Sequence, residues 1–341
     1  MASAVFKFVI KNSIRWAKGK TGLMLKYVIK RILLMIMTFF IISTMCFVLI
    51  KLLPLPAVKE MGRDIEIILQ RREAMGYNKP ILVQYGLYWK HIICDGDFGL
   101  GEQLYAAQDV ATIMAQKIPY TIVVNLYSIL IGIPCGLLFG IYAALKKNKW
   151  QDHVISTLVM LFISVPSYVY AFIVQYFLCF KTGWFSLTVA SRESTGFFSW
   201  QMFASMFPAV ISLAFGTIAG LTRFTRAELA EVLTGEYLLL ARTKGLTRRQ
   251  AVTRHAMRNA MVPILPMILG EFIGILGGSL VIEKIFSIPG IGNLYVAAIS
   301  VRDYNFFMAL TMFYTLVGLV SSLIIDLSYG FIDPRIKMGE R

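Results

Sequence analysis

The 341-residue sequence predicts an all-α integral membrane protein with six transmembrane helices, both termini in the cytoplasm and a protruding cytoplasmic loop. Three observations predict this class. Apolar and aromatic residues make up 57% of the chain and charged residues only 16%, against about a quarter charged in soluble domains. The apolar residues fall in runs long enough to cross a bilayer, which takes about 20 residues at ~1.5 Å rise each. The net charge of +15 sits in short segments between those runs, as the positive-inside rule distributes it, so no nucleic-acid partner is expected. A mean hydropathy of +0.67 excludes a soluble globular chain of this length, and 24 Phe exclude a solvated disordered one. Strict alternation over ten-residue segments is absent, which excludes a β-barrel.

The expected spans are Ile32–Leu53, Thr121–Leu145, Val154–Phe180, Phe203–Leu221, Ile264–Phe286 and Phe307–Leu327. Residues 1–31 precede them as a basic segment in which Lys7, Lys11, Arg15 and Lys18 recur opposite Phe6, Ile10 and Ile14. That pattern reads either as an amphipathic helix on an anionic lipid surface or as a solvated basic tail. The first apolar run is too long for a signal peptide and no A-x-A site follows it, so it is read as a retained helix. The loop 54–120 is balanced, with seven basic and eight acidic residues, and is placed outside. The loop 222–263 carries eight basic and three acidic residues and is placed inside. A six-span domain over 32–328 and a cytoplasmic tail over 329–341 complete the expected organisation.

Gly132, Gly136 and Gly140 in the second span, and Gly270, Gly274 and Gly278 in the fifth, are spaced for close helix approach. Pro134 and Pro166 should kink the second and third spans. Cys46, Cys94, Cys135 and Cys179 have no metal-binding or redox spacing, and a bridge between Cys94 and Cys179 is not expected.

No catalytic constellation or metal site is found. The lone GKT at 19–21 lacks the leading Gly and the strand of a P-loop, and no nucleophile elbow or HExxH occurs. Glu271 is the one ionisable residue well inside a span. It reads as a pathway residue, or as a carboxylate hydrogen-bonded to a neighbouring helix or facing the cytoplasmic vestibule. A stand-alone secondary transporter or channel using Glu271 for coupling is the alternative it leaves open.

The inner loop holds more chain than a connection needs. Helix formers run through Ala227–Ala241, Lys244-Gly245 ends that helix, and Thr247 is placed to cap a second one reaching Pro263. It reads as a protruding element bound by something cytoplasmic, or as a plain loop made basic by its side of the membrane.

The stretch GEYLLLARTKGLTRRQAVTRHAMRNAMVPILP (Gly235–Pro266) resembles the coupling loop of ABC importer permeases of the oligopeptide/dipeptide class. VIEKIFSIPGIGNLYVAAISVRDYNFF (Val281–Phe307) is similar to the last outer loop of those subunits, and GDFGLG (Gly96–Gly101) to their first. Leu239 and Leu240 depart from the general pattern by standing where Glu-Ala is usual; Ala241 and Gly245 keep it. The resemblance implies a permease subunit in a bacterial or archaeal cytoplasmic membrane that moves oligo- or dipeptides. It implies a second permease subunit, two ATPase subunits that hold ATP and Mg, and an extracellular or periplasmic substrate-binding protein as partners. The chain itself would bind no cofactor and catalyse nothing. It further implies that Glu236, Tyr237, Leu238, Ala241, Arg242, Lys244 and Gly245 meet an ATPase subunit, while Arg254, His255 and Asn259 support the loop. Tyr85, Tyr88, Trp89 and the 96–101 turn would dock the binding protein or cap the pathway, unless they form an ordinary structured outer loop.

Overall fold

The computed structural model describes the backbone of residues 2–54 and 63–332, with side chains described within 26–328. The expected tail at 329–341 and the basic side chains of 1–25 therefore lie outside the described side chains. Fourteen helices are described, and no strand among these residues. In order they are α1 (Ala2–Leu52), α2 (Arg63–Ala74), α3 (Ile81–Lys90), α4 (Val110–Leu145), α5 (Trp150–Ser164), α6 (Ser167–Val174) and α7 (Arg192–Thr195). They continue with α8 (Trp200–Val232), α9 (Glu236–Thr243), α10 (Arg248–Ala251), α11 (Met257–Ile273), α12 (Leu280–Ile285), α13 (Ile291–Val301) and α14 (Tyr304–Ile332).

Five stretches are long and apolar enough to span: Lys26–Leu52, Val110–Leu145, Trp200–Val232, Arg248–Gly277 and Tyr304–Ser328. The sixth is a bent pair, α5 followed by Ser167–Lys181, turning by 100° at Val165–Pro166. The third expected span is thus not one straight rod. Pro166 has no N–H to continue the ladder and pushes Val165 into extended geometry, φ −85° and ψ 127°. The fifth span also ends earlier than expected, at Gly277. Gly278 then adopts φ +56° and Ser279 caps the separate short helix α12, bonding the Ile282 N–H at 3.4 Å.

At the centre α4 packs along α8, and the α4 glycines explain how closely. A Cβ on Gly136 would lie 2.8 Å from the Leu221 Cβ, and one on Gly140 would lie 2.6 Å from the Thr225 Cβ. In the second series Gly278 makes a close approach, a Cβ there lying 2.8 Å from Thr121 Cγ2, but the two glycines before it do not. Gly274 has open space where a Cβ would stand, and Gly270 only ordinary contact with Ile325.

The other helices surround this pair. Ile129, Ile133, Leu221 and Ile264 join α4, α8 and α11 in one apolar cluster. Helix α1 lies against α14, held at the outer end by Phe47 and Ile50 on Tyr304 and Met308. At the inner end Arg31 pairs with Asp326 and donates to Ser322 Oγ at 2.9 Å. Pro134, Pro263 and Pro266 lie inside α4 and α11 without ending them, as packed transmembrane helices tolerate. The second inner-loop helix therefore runs on past Pro263 into the membrane. All four cysteines are free.

Candidate functional site

On the cytoplasmic side, α8 runs beyond the bilayer and hands over to α9 through a short turn at 233–235. Gly245 ends the excursion with φ +88°, a backbone position that costs an L-residue about 1–2 kcal/mol. Thr247 opens α10 with a capping box: its side chain receives the Gln250 N–H, while the Gln250 side chain receives the Thr247 N–H at 3.0 Å. Below α9 lies an apolar base of Ala144, Leu229, Ala230, Ala251, Val252, Ala256 and Ala260, drawn from α4, α8 and the α10–α11 segment.

Leu238 and Ala241 belong to that base, being 8% and 7% exposed. Their face of α9 is the one that buries against the chain itself. The outward apolar ridge is Leu239 and Leu240, 64% and 56% exposed. Glu236, Lys244 and Gly245 are exposed beside it, while the side chains of Tyr237 and Arg242 lie outside those described. Arg254, His255 and Asn259, expected to support the loop, are exposed on the α10–α11 segment. Their small neighbours Ala256 and Ala260 are buried in the base. The departure of Leu239-Leu240 from the usual Glu-Ala was the signal that could have identified the ridge.

Two polar clamps tie this base to the spans. Arg226 on α8 pairs with the buried Asp152 on α5, its Nη2 donating to Oδ2 at 2.7 Å. The Asn148 N–H donates to the same carboxylate oxygen at 2.9 Å. Removing either ion would leave the other uncompensated in a tightly packed site.

Above the base, α4, α8, α11 and α14 line a half-open cavity of about 660 Å³. Its lining mixes apolar residues with the polar Asn125, Ser128, Thr217 and Glu271, and nearly half of its surface is polar. Glu271 lies on α11 within this lining. It accepts the Thr217 hydroxyl from the neighbouring helix at 3.1 Å, and it faces the cavity.

On the outer side, a re-entrant segment closes over the bundle. Glu283 is fully buried and receives the Thr121 hydroxyl at 2.9 Å and the Gly292 and Asn293 N–H groups at 2.8 and 3.2 Å. A carboxylate at the first turn of α13 satisfies free N–H donors and complements the helix dipole. Close packing fixes Gly290, where a Cβ would come within 2.3 Å of Glu283 Oε2 and 2.4 Å of Thr121 Oγ1. The outer turn at 96–104 is fastened to the start of α14, with Asn305 Nδ2 donating to the Leu100 carbonyl at 2.8 Å. Arg72 braces it through Glu102 at 2.6 Å, and that bond holds the guanidinium above its usual pKa. Tyr85, Tyr88 and Trp89 pack on α1: Tyr85 on Phe47 at 5.2 Å, Tyr88 on Phe47 at 5.3 Å and Trp89 on Phe40 at 4.7 Å between centroids. These aromatics secure α3 to α1.

This geometry is accompanied by a sequence match along nearly the whole chain. Residues 136–338 match the model of the binding-protein-dependent transport system inner membrane component, and residues 24–125 match its N-terminal counterpart. The chain belongs to this family. Its relatives include the dipeptide transport system permease proteins DppB of Lactococcus lactis subsp. cremoris (strain MG1363) and Bacillus subtilis (strain 168). They are 34% and 32% identical, over 92% and 93% of this chain and the full length of each relative. The glutathione transport system permease protein GsiC of Escherichia coli (strain K12) is 31% identical over 92% of this chain and 99% of its own. A solved amino acid ABC transporter described with histidines superposes on 64% of this chain and 94% of its own, at TM-score 0.49 and 17% identity. The permease is an inner-membrane, multi-pass component of a binding-protein-dependent transport system.

Proposed function

We propose that this permease is one of two membrane subunits of an ATP-driven importer of small peptides. Two ATPase subunits work from the cytoplasm, with ATP and Mg bound to them, and a substrate-binding protein works outside. The cargo class rests on the relatives, which are named for dipeptide and glutathione transport. The division of labour rests on one observation in this chain. An exposed Leu239–Leu240 ridge stands on a base shared by α4, α8 and the α10–α11 segment, elements that continue upward as cavity walls.

The mechanical consequence is direct. Exposed leucines beside charged neighbours give a protein interface both apolar anchors and a rim. A push or pull on the ridge is passed on through the apolar base, because Leu238 and Ala241 seat α9 in a cluster that also takes in residues of α4, α8 and α11. The Arg226–Asp152 clamp carries α5 along. The cavity walls then move as a unit between inward and outward access, and the second permease subunit supplies the facing wall.

The test is uptake by the assembled complex in proteoliposomes. Accumulation of labelled di- and tripeptides that requires lumenal ATP and the binding protein supports the reading. Uptake by this chain alone, driven by an ion gradient, would replace it with a secondary transporter.

A further inference from the structure

The cavity wall has an unusual charge balance. Its volume of about 660 Å³ falls in the range of small-ligand sites, about 300–1,000 Å³, and Asn125, Ser128, Thr217 and Glu271 face it among apolar side chains. Glu271 is the only ionisable residue in that lining. Its Oε2 takes the Thr217 hydroxyl at 3.1 Å, and its Oε1 takes no hydrogen bond from the described residues. No Lys, Arg or His among the described residues pairs with it. Asn125, also in the lining, donates one of its two amide N–H groups to the Thr121 carbonyl at 2.7 Å and keeps its side-chain oxygen as an acceptor. The cavity therefore offers neutral hydrogen-bonding groups and one negative charge, with no cation among its lining residues.

An uncompensated carboxylate at this depth is costly and calls for a positive partner. A hard divalent ion would want six or more oxygen ligands, and a proton relay a second titratable group; the lining supplies neither. An ammonium group, with three donors and one charge, fits what is present. We propose that Glu271 receives the protonated α-amino group of the peptide cargo as it passes through this cavity, resting on the peptide-importer reading above. A single charged contact among uncharged walls orients the cargo amino end first while leaving its side chains unread. It also holds weakly enough for release, as a conducting pathway requires.

The experiment uses the complete complex in proteoliposomes, with tri-alanine as probe and the variants Glu271→Gln and Glu271→Asp. E271Q is expected to lower tri-alanine uptake about tenfold, while the loaded binding protein still stimulates ATP hydrolysis as in the unaltered complex. E271D, which keeps the charge, is expected to recover most of the uptake. A tri-alanine carrying a photoreactive group on its first residue should label α11, and one carrying it on the third residue should label it far less. Unchanged uptake in E271Q, an equal fall of uptake and ATP hydrolysis, or equal labelling from both ends would each overturn the assignment. If the unaltered complex moves no peptide at all, the peptide-importer reading falls and takes this one with it. Peptide uptake that ignores the E271Q change removes the Glu271 assignment alone.

Discussion

Asp303 Oδ2 accepts the Glu102 backbone N–H at 2.9 Å, joining the turn of the first outer loop to the start of the last span across 201 positions of sequence. The same oxygen takes the Gln103 and Leu104 N–H groups at 2.8 and 2.9 Å. Three successive amides aimed at one buried carboxylate form a small anion nest, filled from within the chain. Asp303→Ala should therefore free the 96–104 turn and cost about 3 kcal/mol, since buried donors would lose a charged acceptor. Hydrogen exchange over those residues checks it: faster exchange is expected there, with α4 and α8 unaffected.

The α4–α8 contact gives a sharper contrast within one residue type. Gly140→Leu would drive a side chain into Thr225, and overpacking of this kind costs about 1–3 kcal/mol. Gly274→Ala meets open space and should leave stability unchanged. Thermal unfolding of the two variants in detergent, side by side with the unaltered chain, should separate them clearly. Equal midpoints would mean that α4 and α8 are not held at this distance.

Gly290→Ala is expected to dislodge Glu283 from the start of α13, because the new methyl would occupy the space of the Glu283 and Thr121 oxygens. The cost is about 1–3 kcal/mol from strain and unsatisfied donors. Protease cleavage between α12 and α13 should increase from the outer face. Full resistance would contradict the role given to Glu283.

At the cytoplasmic loop, Gly245→Pro should uncouple ATP hydrolysis from uptake while leaving membrane insertion intact. Proline holds φ near −65°, whereas this position sits at +88°, so the return from α9 to α10 must change course. Wild-type uptake by that variant would count against a rigid return. Leu238→Ala should weaken the base from inside and loosen α9. Leu240→Glu should leave the fold intact and weaken attachment of the ATPase subunits.

Much of this architecture was legible in the residues. Long apolar runs and basic inner segments carry membrane class, topology and the inner excursion, because length and charge act without tertiary detail. Gly245 and the Thr247 cap were readable too, since turn and cap chemistry is local. What was not legible depended on direction in space. Spacing marks α9 as a helix, but which leucines face inward depends on the α4, α8 and α11 surfaces beneath it. The two glycine series look alike in sequence, yet Gly136 and Gly140 meet α8 at close range while Gly270 and Gly274 do not. Glu283 stands at the end of an apolar run, and its role becomes visible only once the chain turns back at Gly278.

The central claim is that the Leu239–Leu240 ridge is where a separate motor takes hold of the membrane subunit. The most direct measurement replaces Leu240 with Cys in a chain cleared of Cys46, Cys94, Cys135 and Cys179, and crosslinks the assembled complex with a short bifunctional reagent. Covalent linkage to an ATPase subunit, with a yield that changes between the ATP-bound and nucleotide-free states, is the expected result. Linkage confined to this chain in both states, or labelling of position 240 from outside the cell, would contradict it.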